Sequence, residues 1–290
     1  MRPAHIIEIQ TPKKFLLNGL WFGPTKPKKA IIWVHGLASS AFSKLGIVEK
    51  LVDTDTAVMT FNNRGAASVT RIRKLNPRKK GGIEFVIAGG SHEVFTECVD
   101  DIQGALDFAK KRGAKEIYLV GHSTGAQKSV YFATRKGNEK KASGAILLGP
   151  LSDYAGAVHE FGKNAVARRN RAAKKLVAEG KKHAIVPDSW VDAQRYISLF
   201  SPDSTEEIFS YIDPEKKPKI YESLTPPVLV LLAEKDEYAD RTPDRIEAWF
   251  VKHAHSTRFN SAIIPKTDHG FQAAEKEVAE TIRKWIKGAK

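Results

Sequence analysis

The pentapeptide GHSTG at residues 121–125 constrains the fold of this chain more than any other stretch. The run Glu116–Val120 before it is apolar and β-branched, which predicts a buried parallel strand. The residues from Ala126 to Arg135 carry apolar side chains at helical spacing. A turn this short strains the backbone of Ser123 and needs glycine on both sides, so that strand and helix can approach each other. The sequence therefore predicts a serine hydroxyl lifted clear of a sheet, at the positive end of a helix.

Apolar strand patterns alternate with amphipathic helix patterns along most of the chain. The predicted strands are His5–Ile9, Phe15–Phe22, Ala30–Val34, Ala57–Phe61, Ala145–Leu148, Val228–Leu232 and Ser261–Ile264, and the predicted helices besides the one after the pentapeptide are Phe42–Val52, Val94–Lys111, Arg241–Lys252 and Phe271–Lys287. We expect the first two strands to form an antiparallel edge. Residues 66–92 are predicted to be a surface loop, with a hairpin as the alternative. The alternation indicates an α/β fold with a mostly parallel central sheet flanked by helices.

Between Leu151 and Leu224 the alternation of strands and helices stops, and the sequence becomes helical and polar. Such an insertion after a strand of a parallel sheet can cover the carboxyl end of the sheet. We therefore predict a core made of residues 1–150 and 225–290, with residues 151–224 forming a helical lid.

Composition excludes several classes of protein. No apolar run reaches the roughly 20 residues needed to cross a bilayer, and the first ten residues lack the apolar stretch of a secretory signal. We therefore expect a cytoplasmic protein without a membrane span. The one cysteine, Cys98, excludes an internal disulfide and a multi-cysteine zinc site. It lies on the apolar face of a predicted helix, where a buried core thiol is expected.

The net charge of +14 is the unusual bulk property of the chain. The positive charge is concentrated in residues 71–80 and 163–182. One interpretation is that the charge attracts an anionic substrate, a nucleic acid or a membrane surface. The other is that it forms a solvated basic surface without a partner. Aromatic side chains are not interleaved with these runs, which argues against a platform that stacks single-stranded nucleic acid. We do not expect nucleic acid as a partner.

Polar residues that follow predicted strands point to acyl-transfer chemistry. Ligands of parallel sheets bind outside the carboxyl ends of the strands. Ser123 lies at one such end, Asp236 follows the strand that ends at Leu232, and His269 follows the last strand. A serine hydroxyl needs a base within hydrogen-bond reach, and that base needs an orienting carboxylate. Glu234, Glu237 and Asp240 near Asp236 remain alternatives for the carboxylate.

With these residues the chain resembles the α/β-hydrolase superfamily, of the serine esterase type, over nearly its whole length. The matching motifs are His35-Gly36, the pentapeptide, Asp236 and the sequence DHGF at residues 268–271. Residues 92–131 also resemble the branch that includes fungal siderophore esterases. The resemblance implies an α/β-hydrolase fold with a helical lid, a Ser123–His269–Asp236 triad, and no metal or organic cofactor.

The resemblance also assigns residues around the triad. The backbone N–H groups of Leu37 and Thr124 would form the oxyanion hole, and His35 and His122 would support loops. Arg64, at the end of a strand, is a candidate for binding a substrate carboxylate. The alternative is that Arg64 holds two loops together.

Three functions are consistent with these residues. The first is a carboxylesterase-like serine hydrolase that cleaves small-molecule esters through an acyl-enzyme. The second is a thioesterase, or an esterase for anionic substrates bound by the basic lid. The third is a non-catalytic binding protein on the same fold. The sequence does not specify the acyl and alcohol groups or the oligomeric state.

Overall fold

The structure, a computed structural model, describes residues 2–288, and the strands in these residues form a single sheet. The strands are β1 (Ala4–Gln10), β2 (Phe15–Phe22), β3 (Lys29–Val34), β4 (Thr56–Phe61), β5 (Thr70–Leu75), β6 (Ile83–Ala88), β7 (Glu116–His122), β8 (Gly144–Leu148), β9 (Val228–Ala233) and β10 (Phe259–Ile264). The α-helices are α1 (Leu45–Leu51), α2 (Cys98–Lys111), α3 (Thr124–Ala133), α4 (Asp153–Phe161), α5 (Lys163–Ala178), α6 (Ala193–Phe200), α7 (Lys219–Glu222), α8 (Pro243–His253) and α9 (Glu275–Lys287).

Six neighbouring strands of the sheet are parallel, in the spatial order β10, β9, β8, β7, β3 and β4. The remaining strands extend the sheet in antiparallel pairs, with β2 beside β4 and β1, and with β5 between β2 and β6. Strand β7, which leads to Ser123, therefore lies inside the parallel part. This arrangement confirms the predicted α/β fold with a mostly parallel central sheet.

Side chains of the central strands alternate between two helical layers. In β3, Ile31 and Trp33 pack in the cluster that contains helices α1 and α9, while Ile32 and Val34 face the layer of α2. Helices α3 and α8 cover the same face as α2 farther along the sheet. Both faces of β3, β4, β7, β8 and β9 are therefore buried, as their continuous apolar sequences require, while β10 at the end of the parallel part is only partly buried.

Two predictions about the amino-terminal part of the sheet need correction. Strand β2 is not at an edge, because it pairs with β1, β4 and β5. Residues 66–92 are not a plain surface loop. They contain the hairpin β5–β6, which was the alternative. Gly81 and Gly82 adopt φ values of 73° and 70° just before β6, a conformation that glycine reaches without strain.

Four helices begin later than the sequence predicted, and one of them, α8, begins at Pro243 instead of Arg241. Helix α1 begins at Leu45 because Lys44 has a left-handed backbone (φ 58°). Positive φ at Phe271 and Ala273 delays α9 to Glu275. Residues Phe95–Glu97 form a turn of 3₁₀ helix before α2. Apolar spacing continues through these turns, so spacing alone does not mark where a helix begins.

Helices α4 to α7 occupy the stretch between β8 and β9. Side chains of α5, α6 and the loop that joins these helices form a small apolar cluster, against which Leu37, after β3, packs. The division into a core and a lid at residues 151 and 224 stays a prediction. Within residues 2–288, no helix is long and apolar enough to span a bilayer.

Candidate active site

Ser123 occupies a strained turn between strand β7 and helix α3. Its backbone has φ 56° and ψ −130°, a conformation that L-residues rarely adopt. The Ser123 N–H donates to the carbonyl of Leu148 on the adjacent strand at 2.9 Å. The strain expected from the pentapeptide is confirmed, and such strain is often found where a side chain has a chemical role.

The two glycines of the pentapeptide permit this turn by their lack of a side chain. A Cβ on Gly121 would lie 2.2 Å from the carbonyl oxygen of Gly125. A Cβ on Gly125 would lie 2.0 Å from the carbonyl oxygen of Val34 in β3. Any larger residue would push helix α3 away from the sheet and move Ser123 with it.

His269 and Asp236 lie in the loops that follow β10 and β9. The Asp236 Oδ2 is 2.7 Å from the His269 Nδ1, and both side chains are at least 90% buried. The other oxygen of Asp236 accepts the Tyr238 N–H at 3.1 Å. Because a carboxylate accepts hydrogen bonds, this contact favours the tautomer with Nδ1 protonated, and within residues 2–288 Nε2 has no hydrogen-bond partner.

The carboxylates that competed with Asp236 have other partners. Glu237 accepts the backbone N–H of His269 at 2.9 Å, and Glu234 accepts the N–H of Lys266 at 2.6 Å. Asp240 pairs with Arg241. Glu237 thus holds the backbone of His269 while Asp236 holds its ring, a division that the sequence did not indicate.

The backbone of His269 is tied to the serine turn through His122, the residue before Ser123. The His122 Nε2 donates to the His269 carbonyl at 2.8 Å. A Cβ on Gly149, next to Leu148, would lie 3.1 Å from His269 Cε1.

Within residues 2–288 the Ser123 hydroxyl makes no hydrogen bond. Nucleophile–base pairs are often longer than a hydrogen bond until substrate binds.

The backbone groups predicted for an oxyanion hole flank Ser123. A Cβ on Gly36 would lie 2.8 Å from Ser123 Cβ, so the loop that carries Leu37 packs directly against the serine. Thr124 is the first residue of α3. Neither N–H donates to another part of the described chain. Both donors are therefore free to bind a negatively charged oxygen.

Arg64 lies in the loop after β4, and its buried guanidinium is surrounded by carboxylates of α2 and the preceding turn. It lies 2.7 Å from Asp101, 2.9 Å from Asp100 and 3.0 Å from Glu97. These contacts favour the alternative in which Arg64 ties two loops together.

His35 and His122 are buried beside the serine, and both stay neutral. Burial, followed by the charge of Lys128, lowers the pKa of His35 to about 4. Burial also lowers the pKa of His122 to about 3, with His269 adding to the effect. His35 accepts the Asn63 N–H at 3.2 Å, and His122 donates to His269. Their contacts are with loop backbone, which fits supporting roles.

These two histidines predict that the protein loses stability in mild acid. In the unfolded chain they bind protons near pH 6.5, while in the folded chain they bind none until pH 4 or 3. The free energy of unfolding should fall below pH 6.5 by up to about 1.4 kcal/mol per pH unit for each histidine. Urea unfolding at pH 7, 6 and 5 measures this slope. His122→Asn, which keeps an N–H donor, should have a shallower slope than the wild type, and equal slopes would contradict the prediction.

A set of buried charges lies beneath α3, which the sequence did not reveal. Lys128 on α3 lies 2.6 Å from Glu93, whose other oxygen is 2.9 Å from Arg195 on α6. Arg195 also lies 2.5 Å from Glu206. Burial raises the pKa of Glu93, but the charges of Lys128 and Arg195 outweigh it and hold that pKa below its usual value. Because Lys128 and Arg195 are separated by 67 positions, periodicity could not bring them together.

Comparisons with known proteins agree with this fold. The profile of the family described as "Protein of unknown function (DUF1749)" matches residues 90–287. The siderophore hydrolase EstB from Aspergillus fumigatus has a similar structure, with a TM-score of 0.67 at 15% identity over 100% of this chain and 98% of that one. The Pyrococcus furiosus esterase Pf2001 has a TM-score of 0.63 at 14% identity, covering 99% and 91% of the two chains.

A curated relative, a tear acid lipase-like protein from Mesocricetus auratus, is 30% identical over 139 residues. That match covers 44% of this chain and 32% of the relative's length. At the identities of the solved structures the likeness shows a shared fold. The α/β-hydrolase fold expected from the sequence is thereby confirmed, and the siderophore hydrolase agrees with the narrower resemblance of residues 92–131.

Proposed function

This chain belongs to the DUF1749 family, whose description gives no function, and we propose from its own site that it is a carboxylesterase-like serine hydrolase. The observation that carries the proposal is the 2.7 Å contact between Asp236 and His269 beside the strained turn of Ser123. The esterase Pf2001 from Pyrococcus furiosus, one of the structural neighbours, supports the same class of reaction on this fold.

In the proposed reaction, the Ser123 Oγ attacks the acyl carbonyl while the His269 Nε2 takes the hydroxyl proton. Asp236 accepts the Nδ1–H of the same ring, which keeps the correct tautomer and stabilises the imidazolium. The negative oxygen of the tetrahedral intermediate accepts the N–H groups of Leu37 and Thr124, each contributing roughly 3 kcal/mol.

Collapse of this intermediate breaks the ester bond, and His269 gives its proton to the departing alcohol. Water then attacks the acyl-enzyme, its proton passes to His269, and the second intermediate releases the carboxylic acid and returns the proton to Ser123. The proposed chemistry uses side chains and backbone groups of this chain alone.

The second candidate is hydrolysis of thioesters or anionic esters, and it is favoured by the surface of α5. The side chains of Arg168, Arg171, Lys174 and Lys175 are exposed on this helix. The catalytic groups would be the same, and only the part of the substrate that contacts the lid would differ. The third hypothesis is a binding protein that has the same fold but no catalytic activity, and it predicts an unreactive serine.

Labelling with a fluorophosphonate distinguishes an active serine from an inert one. We expect the probe to modify Ser123 in the wild type. In Ser123→Ala we expect no labelling, because the remaining serine hydroxyls, without an adjacent base, react slowly. Peptide mass spectrometry identifies the modified residue. An unlabelled wild type under conditions that label a known esterase would support the non-catalytic hypothesis.

A panel of neutral esters, anionic esters and thioesters then ranks the substrate classes by kcat/KM.

A further inference from the structure

We propose that His92, His183 and Asp192 bind a divalent transition-metal ion, with Zn²⁺ as the first candidate. One donor atom from each residue lies within 4.8 Å of the other two. None of the three belongs to the proposed triad. The site would join the loop before α2 to the loop before α6, and so the core to the lid.

The two imidazoles converge on a single oxygen. The Nδ1 of His92 is 3.0 Å from the Asp192 Oδ2, and the Nδ1 of His183 is 2.9 Å from the same atom. Donors bound to Zn²⁺ at 2.0–2.2 Å in a tetrahedral site are about 3.4 Å apart. The two contacts with Asp192 are thus within about half an ångström of the spacing that such a site needs, and the two imidazole nitrogens lie within 4.8 Å of each other.

Charge gives a second reason for a cation at this position. The Asp192 side chain is fully buried, at 0% exposure, and a buried carboxylate requires compensation. Its ion-pair partners within residues 2–288 are the two imidazoles alone, because the neighbouring Arg195 is directed to Glu93 and Glu206. Neutral imidazoles leave one negative charge in the site, and a divalent ion would neutralise it.

The backbone around the three donors is fixed before any metal binds. Asp192 caps α6, since its Oδ1 accepts the Arg195 N–H at 2.8 Å, and its own N–H donates to Ser91 at 2.9 Å. The Gln194 side chain donates to the carbonyls of His92 and Glu93. Fixed donors lose little freedom on binding, which favours tight coordination.

His183 lies in a tight loop whose backbone pairs with the start of α6. The N–H of Ala193 donates to Ala184, and the N–H of Gln194 donates to Lys182. The His183 side chain is 58% exposed, so a metal ion can enter from solvent and keep a water as its fourth ligand. Two imidazoles and one carboxylate form a donor set that suits Zn²⁺ better than Mg²⁺ or Ca²⁺, which prefer oxygen ligands.

Titration of the EDTA-treated, dialysed protein with Zn²⁺, in competition with a chromophoric chelator, tests the proposal. We expect one tight site per chain and a rise in Tm of about 5 °C when free Zn²⁺ exceeds Kd a hundredfold. Co²⁺ should bind in the same place and give visible absorption bands. These readouts do not depend on hydrolysis, so they are separate from the test of the proposed function.

Three variants locate the site. His183→Ala removes a partly exposed ligand, and Asp192→Asn removes the charge but keeps a residue that caps helices. Each should weaken Zn²⁺ binding by at least about 10-fold and reduce the shift in Tm. His159→Ala, which removes an exposed histidine at the end of α4, is the matched control and should bind as the wild type does.

Two results would overturn the proposal. One is an absence of binding at 100-fold molar excess of Zn²⁺, which would leave the three residues as a hydrogen-bonded contact between loops. The other is an equal loss of affinity in His159→Ala and His183→Ala, because that would indicate scattered surface binding.

Discussion

Replacing Ser123 with alanine is expected to lower kcat/KM for a p-nitrophenyl ester by at least about 10⁴-fold. The reason is that, in the proposed mechanism, no other group forms the acyl-enzyme, and the N–H groups proposed for the oxyanion hole would accelerate only the slow attack of water. Alanine adopts the backbone conformation of Ser123 as readily as serine does, so the variant should fold normally. Initial rates with purified protein, together with Tm, measure the effect.

A matched pair of variants tests the carboxylate. Asp236→Asn should reduce kcat by about 10⁴-fold, because the amide favours the wrong tautomer of His269. Asp240→Asn should leave kcat nearly unchanged, since Asp240 pairs with Arg241 rather than with the imidazole. Ser223→Ala, at an exposed serine, controls for the loss of a hydroxyl. Undiminished turnover in Ser123→Ala, or a larger loss in Asp240→Asn than in Asp236→Asn, would contradict the assignment.

The sequence predicted the serine turn because the determinants of that turn are local. Gly121 and Gly125 lie within four positions of each other, and their role follows from the space between one strand and one helix. The placement of Asp236 and His269 also followed from local patterns, since each comes directly after an apolar strand. A parallel sheet brings such strand ends to one edge whatever their separation in the chain.

Contacts between distant loops could not be predicted in the same way. Glu237 accepts the N–H of His269 and Gly149 leaves room for the ring, but neither residue has a pattern that distinguishes it from its neighbours. His92 and Asp192 are 100 positions apart, and their contact depends on how helices α4 to α6 pack. Long-range contacts of this kind have no period in the sequence.

The buried charges under α3 give the largest expected effect on stability. Glu93→Gln keeps the volume of the side chain but leaves Lys128, which is 0% exposed, without a negative partner. Asn63 is its other contact, at 3.4 Å. Removing one member of a buried ion pair typically destabilises a protein by about 3–5 kcal/mol. We expect a loss of that size in the free energy of unfolding, measured by urea denaturation at pH 7.

A double variant separates the loss of the ion pair from the loss of packing. Lys128→Met in the Glu93→Gln background removes the uncompensated charge while keeping a long apolar side chain in α3. Because a buried pair replaced by uncharged groups of similar volume is often neutral in stability, the double variant should recover most of the loss. Arg195 would keep Glu206 as its partner in both variants.

An exposed ion pair provides the control for these measurements. Lys28 and Asp55 are 3.1 Å apart with side chains 74% and 53% exposed, so Asp55→Asn should change stability by less than about 1 kcal/mol. A Glu93→Gln variant as mildly affected as Asp55→Asn would show that water or a rearranged side chain compensates Lys128. A double variant less stable than Glu93→Gln would show that the favourable interactions of the buried charges exceed the free-energy cost of removing those charges from water. Either result would contradict the view that Glu93 is needed chiefly because Lys128 and Arg195 are buried around it.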